Sequence, residues 1–426
     1  MTLGLILYRI LTVLMTPFLG VFFRRRVRAG KEFDDRLNER LARRLSARPE
    51  GHLIWLHAAS VGESQLLLEL VRRYAQTTET NATYLFTCQT KTAATLVATA
   101  LTEDETLRGL ATLQQMAVFD SPGGANRFLD HWRPGLAIFA EGEIWPNLIL
   151  GLQARDIPVA LINARMTENS IKGWMRWPKT SRAVFGAFDT LISADLQTQT
   201  ALQELSGKSV LHPGNLKSAL PAPNVDALEL DELRDAIGER RILLAASTHA
   251  GEEALALDAY MKLPPDHFMI IAPRHPERGD EIDGLLSCTR YAISRRSERD
   301  PVNQGTHILL ADTMGEMGLW YRLADAVYLG GGHAPGVGGH NPLEALRLDK
   351  PVVTGPSLFN FSDLTQRLVP HQGFSIVEDA ESLAAAIPLP AVSQSLRDVL
   401  QADAIGPKSK TLDALTPLFE KVERTA

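Results

Sequence analysis

The sequence has few cysteines and no excess of positive charge. Its 426 residues contain only Cys88 and Cys288. Two thiols this far apart in sequence cannot form a disulfide framework, a zinc knuckle or an iron–sulfur cluster, so the sequence predicts a protein of the reducing cytosol. Lys and Arg number 44 against 50 Asp and Glu. This acidic balance argues against a general nucleic-acid binder.

The chain is long enough and apolar enough to form more than one domain. Hydrophobic residues make up 45% of it, which provides for substantial cores and excludes disorder as the dominant state. At about 150 residues per domain, the length predicts two to three domains.

The longest apolar run lies at the N-terminus, over residues 3–23, and four arginines follow within residues 24–28. Such a run can cross a bilayer, and no small-residue cleavage site follows it. The basic flank predicts a body on the cytoplasmic side. Because Arg9 and Pro17 interrupt the run, a helix lying in the membrane interface and a buried helix of a soluble domain remain alternatives.

A basic collar adjoins this predicted anchor. Residues 24–44 contain nine Lys or Arg against four Asp or Glu. In the interfacial alternative these cations bind anionic headgroups. We therefore predict a membrane anchor and basic collar over residues 1–28.

Short apolar runs alternate with helix-like stretches along the rest of the chain, in two series separated by a Pro- and Gly-rich segment. This alternation predicts parallel sheets with helices on both faces. We expect Rossmann-like domains over 29–212 and 225–400, a hinge over 213–224 and a C-terminal helix over 401–426. The predicted fold class is α/β, with two doubly wound domains facing a cleft.

Candidate functional residues are those that follow strands, because ligands of such sheets bind beyond the carboxyl ends of the strands. The predicted strands are 52–59, 84–88, 116–120, 136–140, 158–163 and 190–194 in the first domain, and 241–247, 268–273, 307–311, 326–330, 351–354 and 374–377 in the second.

Glu63 follows the first strand, one residue after Gly62, which allows a tight turn into a helix. A carboxylate in the first turn of a helix is favoured by the helix dipole, which we expect to keep it ionised. Glu63 is either a general base or a simple complement to the helix N-terminus.

Glu141 and Glu143 follow the fourth strand, and on an extended chain they share a face. A metal pair is one interpretation, but no third ligand is evident. In the other, one carboxylate hydrogen-bonds the site while its neighbour fixes the turn. Arg165, after the next strand, faces an anionic ligand or forms a structural salt bridge.

The second domain contains a glycine-rich loop, residues 330–339, that follows a strand and opens a helix at Pro342. Glycines let backbone N–H groups approach a phosphate, and a helix N-terminus adds positive potential. Glu344 is placed to bind ribose hydroxyls. His333 and His340 are isolated from other metal ligands. Together with a carboxylate in the first domain, the loop indicates a sugar-nucleotide transferase of the GT-B type, which has two Rossmann-like domains.

Eight motifs make the chain similar to a known family, the 3-deoxy-D-manno-octulosonic acid (Kdo) transferases of Gram-negative bacteria. They occur in the family's order over about residues 1–380. The motifs are HAASVGE at 57–63, EIWPN at 143–147, NAR at 163–165, GNLK at 214–217, STH at 247–249, PRHPER at 273–278, DTMGE at 312–316 and GGHNPLE at 338–344.

The resemblance implies transfer of Kdo from CMP-Kdo to the lipid A precursor (lipid IVA) at the cytoplasmic face of the inner membrane, with inversion and without metal or cofactor. By motif match, Glu63 is the general base, and Glu141 and Lys217 support the transition state. The matched donor-binding residues are Arg274, His275, Gly315, Glu316, Met317, Asn341, Pro342, Leu343 and Glu344.

Two other functions remain open from the sequence. One is a GT-B enzyme that uses another nucleotide sugar, such as a UDP-sugar. The other is a non-catalytic, membrane-associated binding protein that retains the fold.

Overall fold

The computed structural model describes residues 1–78, 81–219 and 225–424. The chain divides into a first unit of Met1–Leu220 with Asp403–Ala426 and a second unit of Pro221–Ala402. Residues 220–224 of the predicted hinge, and 425–426 of the predicted C-terminal helix, lie outside the described residues.

The first unit is built on a six-stranded parallel sheet. Its strands are β1 (Leu53–Ala58), β2 (Thr83–Cys88), β3 (Thr112–Met116), β4 (Leu136–Ala140), β5 (Val159–Ala164) and β6 (Thr190–Ser193). Their order is β3-β2-β1-β4-β5-β6. The direction of winding reverses between β1 and β4, which is where ligands of doubly wound sheets bind.

Helices cover both faces of this sheet. Successive side chains of β1 enter opposite cores, with Ile54 and Leu56 in one and Leu53 and Trp55 in the other, as the two-residue period of a strand requires. The helices are α1 (Leu3–Met15), α2 (Leu19–Arg28), α3 (Leu37–Arg40), α4 (Val61–Thr77), α5 (Lys91–Glu103), α6 (Glu105–Arg108), α7 (Pro122–Trp132), α8 (Pro146–Gln153), α9 (Glu168–Met175), α10 (Pro178–Phe185) and α11 (Leu196–Ser206).

The third strand lies earlier in the chain than the sequence predicted. We expected residues 116–120, but β3 is Thr112–Met116. As an edge strand, β3 is only half-buried over its first three residues and carries Gln114 and Gln115, so it lacks the apolar run typical of a buried strand. Residues 117–120 instead lead to the buried Asp120.

The second unit contains a seven-stranded parallel sheet. Its strands are β7 (Arg241–Thr248), β8 (His267–Pro273), β9 (Ile293–Arg295), β10 (Ile308–Leu310), β11 (Ala326–Leu329), β12 (Val352–Thr354) and β13 (Phe374–Ile376). The order is β13-β12-β11-β7-β8-β10-β9, so winding reverses where β7 lies beside β11. The expectation of two Rossmann-like domains is confirmed.

The helices of the second unit are short, and one of them bears on the predicted phosphate site. They are α12 (Ala227–Ile237), α13 (Glu252–Tyr260), α14 (Gly279–Ser287), α15 (Met317–Leu323), α16 (Leu343–Leu346), α17 (Ser362–Leu368) and α18 (Ala380–Ala386). The helix expected at Pro342 has only four residues, so few peptide dipoles align behind its N-terminus.

A long C-terminal helix, α19 (Gln394–Arg424), begins in the second unit and ends in the first. Leu415, Phe419 and Val422 belong to a core cluster of the first unit. The Phe419 ring stacks on Tyr74 with 4.1 Å between centroids. The end of the chain therefore completes a core that residues 1–220 begin.

The N-terminal helices form a two-faced surface element. Residues Leu3–Arg28 are long and apolar enough to cross a membrane, and most of this stretch is exposed. Leu5, Leu19 and Phe23 are buried against the first unit, whereas Leu14 and Phe18 are 64% and 71% exposed. The alternative of a fully buried helix is therefore wrong.

The basic collar is smaller than its sequence count suggests. The Arg40 side chain is buried and donates to Glu32 Oε1 and Oε2 at 3.0 Å and to the carbonyl oxygen of Gln89 at 2.6 Å. Arg36 donates to both carboxylate oxygens of Glu39 at 2.8 Å. Arg24, Arg25 and Arg28 remain exposed.

Candidate functional site

In the first unit, Glu63 lies in the first turn of α4, directly after β1. The residue is buried, with 7% of its surface exposed. Oε2 accepts the backbone N–H of Ala59 at 2.6 Å, and Oε1 accepts the Ser60 hydroxyl at 2.9 Å. These bonds fix one orientation of the carboxylate at the point where β1 adjoins β4.

The pKa of Glu63 is raised, contrary to the expectation that the helix dipole keeps the group ionised. Burial is the largest cause, and the negative charges of Glu143 and Glu141 add to it. The hydrogen bonds from Ala59 and Ser60 oppose the shift without reversing it. A carboxylate with a raised pKa is a better proton acceptor than an ordinary surface glutamate.

Glu141 and Lys217, which the sequence assigned as a pair, are in contact. Lys217 Nζ lies 2.6 Å from Glu141 Oε1. Asn163 connects the two segments, because its amide donates to Glu141 Oε1 at 3.1 Å and its oxygen accepts the Leu216 N–H at 2.8 Å. The ammonium end of Lys217 also lies over Gly62, in the first turn of α4. Glu63 and the Lys217–Glu141 pair therefore share one site.

Two residues of this site have left-handed backbone conformations, with φ of 55° for Glu141 and 51° for Asn163. Asparagine visits this region more readily than most residues, but glutamate there is uncommon, and residues held in sparsely populated conformations cluster at functional sites. Sequence reasoning gave Asn163 no role of its own. The only available signal was its position at a strand end within a family motif.

Glu143 does not share a face with Glu141, because β4 ends at Ala140 and the chain turns. Its Oε2 lies 3.1 Å from His57 Nε2 and accepts the Trp145 indole N–H at 2.8 Å. Although burial opposes it, the hydrogen bond and charge of His57 lower the pKa of Glu143. The two carboxylates therefore have different partners, and the interpretation as a metal pair, which the sequence already disfavoured, does not hold.

The buried His57 ring is oriented from its other side by Thr87, whose Oγ1 lies 2.8 Å from His57 Nδ1. Thr87 Oγ1 accepts the Trp55 indole N–H at 2.8 Å. Thr87 Oγ1 therefore bridges the Trp55 indole and the His57 ring, and the other ring nitrogen of His57 faces the Glu143 carboxylate. Sequence reasoning missed this network.

In the second unit, a carboxylate of the protein occupies part of the expected phosphate cradle. The buried Glu252 accepts the N–H of Gly331 at 2.8 Å, of His333 at 2.9 Å and of Ala334 at 3.3 Å. It also accepts the N–H of His249 at 3.0 Å. These loop donors therefore hold the loop to α13, and the expectation that they bind phosphate is wrong for them.

Three histidines and an arginine gather where β7 adjoins β11. His249 Nε2 lies 2.8 Å from His340 Nε2, and the His275 ring centroid is 5.7 Å from that of His249. Burial lowers the pKa of His249, and burial together with His249 and Arg274 lowers that of His340 to about 4. The sequence suggested that His340 is isolated from other metal ligands, but in the structure it contacts His249. Arg274, which is exposed, adds a positive charge to this group.

The other predicted donor-binding residues fall in two places. Glu316 accepts a hydrogen bond from Arg296 at 2.6 Å. The pKa of Glu316 is lowered: burial alone would raise it, but the bonds from Arg296 and from the Thr313 hydroxyl outweigh burial. Gly315 precedes it with φ of 90°, and Met317 begins α15. In the GGHNPLE segment, Asn341 Oδ1 accepts the Leu343 N–H at 3.2 Å, Pro342 and Leu343 are buried, and Glu344 is exposed.

Arg165 is exposed, and His333 Nδ1 lies 2.9 Å from the Tyr328 hydroxyl. Within residues 1–78, 81–219 and 225–424, no group of three or more His, Cys, Asp or Glu side chains is arranged to hold a metal ion.

Residues 35–220 match the family of 3-deoxy-D-manno-octulosonic-acid transferases (kdotransferases). A probable mitochondrial 3-deoxy-D-manno-octulosonic acid transferase of Arabidopsis thaliana is 30% identical over 394 residues, covering 88% of this chain and 85% of that protein. The corresponding transferase of Haemophilus influenzae is 31% identical over 391 residues, covering 88% of each chain.

A solved glycosyltransferase of Rickettsia africae has a similar fold. Its TM-score is 0.53 at 11% identity, covering 89% of this chain and all of that one. At this identity the likeness concerns the fold alone, and it confirms the GT-B expectation. The sequence relatives extend over nearly the whole chain, and from them we conclude that this protein is a glycosyltransferase of the 3-deoxy-D-manno-octulosonic acid transferase family.

Proposed function

We propose that the protein transfers Kdo from CMP-Kdo to the lipid A precursor, with inversion at the sugar and without a metal ion. The observation that carries the mechanism is the buried Glu63 carboxylate, which has a raised pKa and lies at the same site as the Lys217–Glu141 pair. Glu63 removes the proton from the acceptor hydroxyl as the sugar bond to the leaving phosphate breaks.

Inversion requires one base in line with the leaving group and no enzyme nucleophile. The leaving group is a phosphate, so fixed positive charge stabilises it without a strong acid. Lys217 supplies such a charge in the first unit, and Arg274 supplies one in the second. The segments around His275, Gly315–Met317 and Asn341–Glu344 complete the proposed CMP site.

We further propose that the N-terminal helices lie in the membrane interface at the cytoplasmic face and do not span the bilayer. One face of Leu3–Arg28 is buried against the first unit along its length, at Leu5, Leu19 and Phe23. The opposite face exposes large apolar side chains, and Arg24, Arg25 and Arg28 lie exposed at its end. An amphipathic surface of this kind binds anionic lipid headgroups.

The reaction is tested by incubating the purified full chain with CMP-Kdo and lipid IVA and weighing the product by mass spectrometry. Each transferred Kdo adds one sugar mass, and the anomeric configuration of the product reports inversion. Preformed CMP-Kdo with excess chelator tests metal independence separately from donor synthesis. No product with CMP-Kdo, together with thermal stabilisation by UDP and not by CMP, would favour a UDP-sugar enzyme.

The membrane proposal is tested by washing membranes with alkaline carbonate. We expect extraction of the protein, since an interfacial helix lacks the hold of a spanning one. Retention in the pellet would indicate a spanning helix. Protection from protease in sealed right-side-out vesicles, but not in inverted ones, would identify the cytoplasmic side.

A further inference from the structure

The inward face of α1 carries polar side chains that bond to the first unit. The Tyr8 hydroxyl donates to Asp120 Oδ2 at 2.8 Å. The Arg9 Nε donates to Asn147 Oδ1 at 3.2 Å. These two neighbours thus contact two residues of the first unit that are themselves buried. A helix that served only to hold apolar side chains in lipid would not need such bonds.

Asp120 determines where α8 begins. Its carboxylate accepts the N–H of Asn147 at 2.9 Å and of Leu148 at 2.8 Å, which are the first donors of α8 after Pro146. The Asn147 side chain returns a bond to the Asp120 carbonyl oxygen at 2.7 Å. The first N–H groups of a helix have no partners within it, so a buried carboxylate here fixes the helix start.

The start of α8 directly follows residues 141–145, the loop that contains Glu141 and Glu143. Trp145 immediately precedes Pro146, and its indole N–H holds the Glu143 carboxylate at 2.8 Å. The same oxygen of Glu143 bonds His57 at 3.1 Å. A displacement of the α8 start therefore moves Trp145 and disturbs the charge that lies beside Glu63.

We propose that α1 is a positioning element of the catalytic site. Tyr8 and Arg9, through Asp120 and Asn147, hold the α8 start and the loop of residues 141–145. They are positioning residues, because they act through other side chains. This inference rests on the proposed function for its effect on rate, but not for its effect on the loop itself.

The test variant is Tyr8→Phe, which removes one hydroxyl and keeps the ring. In detergent solution with lipid IVA, we expect kcat to fall about tenfold, because a small misplacement of catalytic groups has large kinetic effects. KM for CMP-Kdo and binding to anionic vesicles should stay within about twofold of wild type, since neither uses this bond. Arg9→Gln should act in the same direction.

The matched control is Leu14→Ser, on the exposed face of the same helix. It should weaken binding to anionic vesicles, which Tyr8→Phe should leave within about twofold of wild type. Hydrogen exchange of peptides covering residues 141–150 gives a readout independent of activity, and we expect faster exchange in Tyr8→Phe than in Leu14→Ser. Wild-type kcat and exchange in both Tyr8→Phe and Arg9→Gln would overturn the inference. If the wild type transfers no Kdo, the proposed function fails while the exchange comparison still tests the positioning role.

Discussion

A Cβ atom on Gly62 would lie 3.2 Å from Lys217 Cε and 3.3 Å from Lys217 Nζ. Because Gly62 has no side chain, the Lys217 ammonium has room to lie against the first turn of α4 while it contacts Glu141. Contacts this short require the neighbour to move by a few tenths of an ångström. The end of a lysine moves easily, so an alanine here displaces the charge and leaves the backbone in place.

Gly62→Ala should lower kcat about 3- to 10-fold through this displacement. The free energy of unfolding should stay the same or rise by up to about 1 kcal/mol, because alanine is the better helix former. Steady-state kinetics and urea unfolding measure the two effects. Gly173→Ala in α9, with nothing within 4 Å of the new Cβ, is the control; an equal fall of kcat in both variants would contradict the prediction.

Glu63→Gln should lower kcat by about 10²- to 10⁴-fold, the usual contribution of a general base. The side chain keeps its shape, so CMP affinity and thermal stability should change little. Single-turnover rates and calorimetric CMP titration test this. The exposed Glu103, changed to Gln, serves as the control, and near-wild-type turnover in Glu63→Gln would remove Glu63 from the mechanism.

The rate should depend on pH through Glu63. Because its raised pKa keeps a proton on the carboxyl at higher pH than usual, kcat/KM should fall as pH decreases toward that pKa. Glu143→Gln removes a negative charge that raises the pKa, so the acidic limb of the profile should move to lower pH. Profiles of both proteins between pH 4 and 9 check the direction; a limb that stays in place would show that Glu143 does not act on Glu63.

Glu252→Gln should loosen the glycine-rich loop. The amide end of glutamine presents a donor to backbone N–H groups that need acceptors, at a cost of about 1–3 kcal/mol of unfolding free energy. We also expect a higher KM for CMP-Kdo, with a smaller change in kcat. Chemical denaturation and donor titration measure these effects, and Glu239→Gln, on an exposed surface, should show neither.

The stability of the protein should fall as pH decreases from about 6.5 to about 4 because of His340. Between these pH values the His340 imidazole is protonated in the unfolded chain but neutral in the folded one, so protonation favours unfolding. His249, whose pKa is also lowered, acts in the same direction. Denaturation at several pH values should show a smaller pH dependence of the unfolding free energy in His340→Gln than in the wild type; an equal dependence in both would contradict the prediction.

The sequence predicted much of this structure wherever one physical signal dominated. Fully buried strands such as β1 and β4 are nearly unbroken apolar runs. The rule that ligands bind beyond strand ends selected Glu63 and Glu141, which the structure places near each other. Edge strands gave weaker signals: β3 carries two glutamines, and β9 has three residues.

Long-range contacts were not predictable from local patterns. Glu252 looks like an ordinary first-turn acid, yet it bonds a loop 79 residues later in the chain. Tyr8 looks like part of an apolar run, yet its hydroxyl bonds Asp120, 112 residues away. In both cases the deciding interaction forms only after distant segments have packed, so neither spacing nor propensity records it.

The division of the first unit between the two ends of the chain has a consequence for biosynthesis. Phe419 and Val422 leave the ribosome only after the whole of residues 221–402 has been made. At about 5–20 residues per second, this delay is on the order of 10 to 40 seconds. During that interval the Tyr74 ring of the nascent first unit lacks the Phe419 ring that later stacks on it. A truncated polypeptide that ends before residue 403 lacks this contact permanently.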